Sequence, residues 1–127
     1  MTDTFSGLDT TLGIRYPELT RDRVVAELDV TPDLFQPFGI VHGGVYASLV
    51  EGSASLAANL WLGDRGKAVG VSNHTNFLVA TREGTLTAVA TPLHRGRSQQ
   101  LWQVDITDSA GRRVAQGQVR LQNLTEA

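Results

Sequence analysis

The chain has 127 residues, enough for one domain with a hydrophobic core and too few for two. Its 41% hydrophobic and 19% charged content is that of an ordinary soluble globular protein. A net charge of −2 argues against a nucleic-acid surface, and the absence of cysteine excludes disulfides, thiol catalysis and cysteine-bound zinc, which fits a cytoplasmic setting.

Met1 to about Leu12 is polar and reads as a loose lead-in to the rest of the chain. It lacks a basic region followed by an apolar run, so no secretory leader is expected. Arg21 to Val30 alternates polar and apolar residues over its second half, the mark of a half-buried strand. Thr31-Pro32-Asp33 turns the chain, and Pro37 keeps Gln36 extended. From Gly43 onward apolar residues recur at Val45, Leu49, Leu56 and Leu60, which share one narrow arc of a helix. Ala54, Ala57 and Trp61 widen that apolar surface, so the helix should be largely surrounded by protein, and Gly63 suits its stop. The stretch from Phe38 to Trp61 is no membrane span, because Gly, Ser, Asn and a carboxylate interrupt it.

Four strands are expected next: Ala68–Val79, Thr85–His94, Gln99–Thr107 and Arg113–Gln122. The turns between them are Arg82-Glu83-Gly84, Arg95-Gly96-Arg97 and Asp108-Ser109-Ala110-Gly111. Strands, one long buried helix, then strands joined by short turns describe an α+β design with an antiparallel sheet around a central helix.

Between Asp33 and Asp64 the one charged side chain is Glu51. A carboxylate in such a stretch is costly unless it is solvated, paired or used. It falls in the helix sector that also holds Gly44, Ser48, Gly52 and Ser55, so a backbone or a slender ligand can come close. A helix beginning near His42-Gly43-Gly44 points free N–H groups and its positive dipole end outward, which can polarise a carbonyl oxygen. Ser55, four residues after Glu51, shares its face. An electrophile-activating terminus and a carboxylate on one helix suit acyl-transfer chemistry. The same residues also suit tight packing at the glycines and a paired, structural Glu51.

The segment Gln36-Pro37-Phe38-Gly39-Ile40-Val41-His42-Gly43-Gly44, followed by Glu51 and Ser55, resembles the hotdog-fold acyl-CoA thioesterases. The likeness is strongest to the phenylacetyl-CoA thioesterase-like group, which includes one type of 4-hydroxybenzoyl-CoA thioesterase. It runs from about Leu12 to Leu124, with support from Val69 to Phe77 and from Pro92 to Arg97. The resemblance implies that Gly43 N–H binds the thioester oxygen, that Gln36 assists, and that Glu51 is nucleophile or general base. It implies further that Ser55 orients water or leaving group and that His42 lies near the carbonyl. It places Gly44, Asn73, His74 and Phe77 along the acyl pocket and Arg95 and Arg97 near the coenzyme A phosphates, where an arginine fork fits well. Ordinary solvated turn charge accounts equally for the two arginines, a strand with partly buried polar residues for His74, and core packing for Trp61 and Trp102.

In that family two subunits pair edge to edge with an active site across each dimer, and two dimers commonly stack into a homotetramer. No metal and no cofactor are expected, coenzyme A being part of the substrate. The residues contain no Gly-x-Ser-x-Gly elbow, no His-Glu-x-x-His and no phosphate or dinucleotide loop. Rival readings are a carrier-protein-specific proofreading thioesterase, a non-catalytic acyl-CoA binder, and a hotdog hydratase, whose Asp/His motif is not found here.

Overall fold

A computed structural model describes residues 7–125. Six strands form one antiparallel sheet in the order β1-β2-β4-β5-β6-β3, and a single long helix lies against its inner face. The strands are β1 (Arg15–Leu19), β2 (Val24–Asp29), β3 (Gly66–Phe77), β4 (Thr85–Arg95), β5 (Gln99–Thr107) and β6 (Arg113–Thr125). A short helix, α1 (Leu8–Leu12), precedes β1, and the long helix α2 spans Gly43–Leu62. This is the expected α+β arrangement of a sheet around a central helix. Among the described residues no helix is long and apolar enough to cross a membrane.

Period-two patterning builds the inner face. Gln100, Trp102, Val104 and Ile106 of β5 are fully buried, while their neighbours in the strand turn outward. Val24, Ala26 and Leu28 of β2 and Leu86, Ala88 and Ala90 of β4 repeat the rule. Three of these inward residues are alanine, and they share one buried core with Ala54, Ala57 and Ala58 of α2. Small side chains on both surfaces let helix and sheet approach closely. At Gly117 of β6 an added Cβ would stand 2.8 Å from Val50 Cγ1, so glycine is the residue that fits under the helix there.

The buried stripe of α2 is Val45, Tyr46, Leu49, Val50, Ser53, Ala54, Ala57, Ala58 and Leu62. Leu56 and Leu60, expected on the core arc, flank it and are half-buried. The stripe is centred on the small residues because a sheet excludes bulk where it comes nearest.

The N-terminal end holds structure that the patterning did not show. The lead-in is helical from Leu8, closed by Gly13 in the left-handed conformation. Residues 1–6 of that lead-in lie outside the described residues. Arg15–Leu19 forms a strand that the patterning did not show, since Pro17 interrupts any alternation. Proline is tolerated there because β1 is an edge strand.

The other edge is β3, whose twelve residues are mostly exposed, Val69, Val71 and Phe77 included. A bulge between Gly70 and Ser72 shifts its alternation by one. Gly70 lies opposite buried Leu121, and after the bulge Asn73, Thr75 and Phe77 lie opposite buried Val119, Gly117 and Ala115. All four therefore face α2. His74 pairs with exposed Gln118 and points to the other side of the sheet.

Candidate active site

The start of α2 is set by its cap. His42 is extended (φ −63°, ψ 137°), and its ring Nδ1 accepts the Gly44 N–H at 2.7 Å. That bond places the ring hydrogen on Nε2. Val45 N–H donates back to the His42 carbonyl at 2.9 Å. Among the described residues nothing accepts the Gly43 N–H, which stands at the positive end of a twenty-residue helix. Of the two glycines, Gly43 thus keeps its donor free and Gly44 spends it on the cap.

Gln36 reaches the same end through a tight loop. Its backbone N–H donates to Ile40 O at 2.9 Å, and Gly39, with φ 78°, closes the turn by donating to Gln36 O at 3.0 Å. The Gln36 side-chain Oε1 accepts the Phe38 N–H. With its oxygen occupied, the amide leaves Nε2 as the available donor. Gln36, Gly43, Tyr46 and Phe77 line one groove of about 410 Å³, whose other walls are apolar. The Phe77 ring covers Gly43 so closely that an added Cβ would sit 2.5 Å from Phe77 Cε2. Tyr46 stacks obliquely on Phe77 at 5.9 Å, with its hydroxyl 3.0 Å from Thr81 Oγ1.

Glu51 lies in a different hollow, with Ala47, Ser48, Gly52, Asn73, Leu8 and Asp9. Asn73 Nδ2 donates to Glu51 Oε1 at 3.3 Å and to Ala47 O at 3.1 Å. Gly70 clears the space on the opposite side, where a Cβ would press into Glu51 Oε2. Above Gly52 the Tyr16 hydroxyl donates to Asp9 Oδ2 at 2.6 Å. Burial, then the Asp9 carboxylate, pushes the Tyr16 phenol well above its ordinary range, so it stays a neutral donor.

Ser55 and His74 line neither hollow. Ser55 accepts an Asn59 side-chain bond at its carbonyl, 2.8 Å, and no bond joins its hydroxyl to Glu51 among the described residues. His42 borders a third hollow with Asp33 and Gly44. The Arg95 guanidinium is engaged within the fold: it donates to Asp22 Oδ1 at 2.7 Å and Arg21 O at 3.1 Å, and lies over Trp61 and Trp102. Arg97 is exposed, and its carbonyl accepts from Asn123 Nδ2 at 3.2 Å. Gly70, Thr75, Tyr46 and Asp9 were missed by sequence reasoning. A glycine inside an otherwise β-rich stretch was the available signal for Gly70. Among the described residues no group of three or more His, Asp or Glu side chains converges as a metal set would.

A sheet curved around one helix, with a free N–H at the helix start and a carboxylate two turns along, defines the class. The chain belongs to the thioesterase superfamily, whose family model matches residues 38–115. It is an enzyme of the thioester-hydrolysing class. The S. sahachiroi protein AziG is similar at 49% identity and a TM-score of 0.94, over 96% of this chain and 99% of that one. The Mycobacterium tuberculosis protein Rv1847/MT1895 is similar at 51% identity and a TM-score of 0.91, over 94% and 97%. A Listeria monocytogenes 1,4-dihydroxy-2-naphthoyl-CoA hydrolase is 36% identical over 80% of this chain and 83% of its own.

Proposed function

We propose that the protein hydrolyses the coenzyme A thioester of an aromatic acid, with Glu51 driving attack on a carbonyl held by Gly43 N–H and Gln36 Nε2. The observation that carries the reading is the unaccepted Gly43 N–H beside Gln36 at the mouth of an apolar groove. The groove beside Gly43 is lined by Tyr46 and Phe77 and has the volume of a small-ligand site. The acyl-CoA named for the Listeria relative carries a fused aromatic acid, which agrees with those walls.

In the hydrolytic step, water attacks the thioester carbon as Glu51 takes its proton. The oxyanion is received by the two donors, and collapse expels the coenzyme A thiolate. In the alternative route the Glu51 carboxylate itself attacks, expels the thiolate and leaves a mixed anhydride, which water opens. Single turnover in heavy-oxygen water separates them, since opening the anhydride at its Glu51 side leaves label in the protein.

The spacing of these groups within one chain supports a site completed by a second copy. Gly43 and Glu51 are eight residues apart on α2, or about 12 Å at 1.5 Å per residue. One thioester carbon does not contact both. The exposed β3 edge, an open row of pairing groups, is where a second copy would add and bring its Glu51 to this chain's Gly43. Subunit mixing tests this. Glu51→Ala and Gln36→Ala are each expected to be nearly inactive, loss of one oxyanion donor costing roughly 10²–10³ in rate. Mixed in equal parts and reassembled, they should recover about a quarter of wild-type activity, because one of two sites in each heterodimer keeps both groups. No recovery would mean that Gln36 and Glu51 of one site come from one chain.

The panel assay of the whole reading is thiol release from aryl and aliphatic acyl-CoAs. Release only from carrier-protein thioesters would shift the reading to a proofreading enzyme, and binding without release to an acyl-CoA binder. Gly70→Ala adds a check on the carboxylate itself. The new methyl is expected to displace Glu51 and lower kcat roughly 10–100-fold, since a shift of about 1 Å can cost 10²-fold. Thermal stability should change little, because the atoms the methyl meets are the flexible end of Glu51 and not backbone.

A further inference from the structure

We infer that Thr75 and Asn73 of β3 form a positioning relay that holds the Glu51 carboxylate in its working orientation. The inference rests on the reading of Glu51 as the group that acts on the thioester. Thr75 Oγ1 donates to Asn73 Oδ1 at 2.7 Å. The two acceptors on α2, Ala47 O and the Glu51 carboxylate, decide the amide's orientation: Nδ2 faces α2, and Oδ1 is left to accept from Thr75. Nδ2 then donates to Glu51 Oε1 at 3.3 Å and to Ala47 O at 3.1 Å. The second bond matters as much as the first. It ties Asn73 to the helix backbone one turn before Glu51, so the donor travels with the helix that carries the carboxylate.

The bulge between Gly70 and Ser72 makes the arrangement possible. Strict alternation from Gly70 would send Ser72, His74 and Asn76 toward α2. With one residue inserted, Gly70 leaves room on the Oε2 side and Asn73 supplies the donor on the Oε1 side. A bulge beside a reactive side chain commonly re-aims its neighbours in this way. Thr75 is half-buried, and its Oγ1 occupies space that a Cβ at Gly117 would need, which ties this end of the relay to glycine at that position.

The test compares Asn73→Asp, Asn73→Ala, Thr75→Val and Thr75→Ser with wild type in steady-state hydrolysis of an aryl-CoA. Asn73→Asp keeps the shape and removes the donor. It and Asn73→Ala are expected to lower kcat roughly 10–100-fold with KM within about twofold, the range for losing a hydrogen bond to a charged group. Thr75→Val should fall in the same direction, and Thr75→Ser, which restores the hydroxyl, should recover it. Unchanged kcat in both Asn73 variants, or a rise in KM alone, overturns the inference. Crystal structures of wild type and Asn73→Ala supply a readout that needs no turnover. One Glu51 rotamer in wild type should become several in the variant, and a single unmoved rotamer in both overturns the relay. A wild type inactive on every thioester, with Glu51 nonetheless released in Asn73→Ala, would sink the functional reading and leave the relay standing.

Discussion

Replacing Glu51 with glutamine is expected to cut thioester turnover by roughly 10²–10⁴-fold, the usual contribution of a positioned base. A nucleophilic Glu51 would make the loss larger still. Glutamine preserves the shape, and its amide oxygen can still accept from Asn73 Nδ2, so folding should not suffer. Glu51 is only half-buried in a face of small residues, and removing its charge leaves no stranded partner cation among the described residues. The measurement is coenzyme A release from the best substrate of an acyl-CoA panel, with thermal melting alongside. A Glu51→Gln protein that melts like wild type and turns over within about tenfold of it would defeat the mechanism, because no positioned base works that weakly.

The largest effect on stability should come from Trp102→Ala. Trp102 is fully buried in β5, and its indole Nε1 donates to Gln100 Oε1 at 2.7 Å. Gln100 in turn donates to Asn123 Oδ1 at 2.8 Å and to Ala58 O of α2 at 3.3 Å. Asn123 Nδ2 holds the carbonyls of Gly96 and Arg97, so one indole anchors a polar network that ties helix, β6 and the β4–β5 turn together. Truncation leaves a cavity worth about 3–5 kcal/mol, and stranding the Gln100 acceptor adds about 1–3 kcal/mol. Against a total stability of about 5–15 kcal/mol, most of the fold's margin is lost. Trp102→Phe keeps most of the volume and strands the same acceptor, so it should lose less. Urea midpoints for the three proteins decide it. A Trp102→Ala loss below about 1 kcal/mol would show that the cavity collapses and the network re-forms, contrary to its burial.

Sequence and structure agree most closely where the signal is local. The helix begins and ends where His42-Gly43 and Gly63 predict, because capping and chain reversal depend on residues a few positions apart. β4 and β5 fall on their expected spans, and the three turns fall on Gly-containing clusters. The glycine-rich helix start and the lone carboxylate were each legible for the same reason, since a cap and a helix face depend on residues a few positions apart.

What went unread depends on partners distant in the chain. Arg95 is a turn arginine in sequence, and only the fold sets it against Asp22 and two tryptophans. His74 and Asn73 are adjacent in sequence, yet a one-residue bulge sends the first away from α2 and turns the second toward Glu51.

The sequence by itself determined the long helix, five of the six strands and the helix face on which Glu51 sits, since these follow from period, caps and turn residues. The tertiary structure alone decided which strand residues meet that face. Strand pairing is long-range, and a single inserted residue reverses the direction of every side chain beyond it.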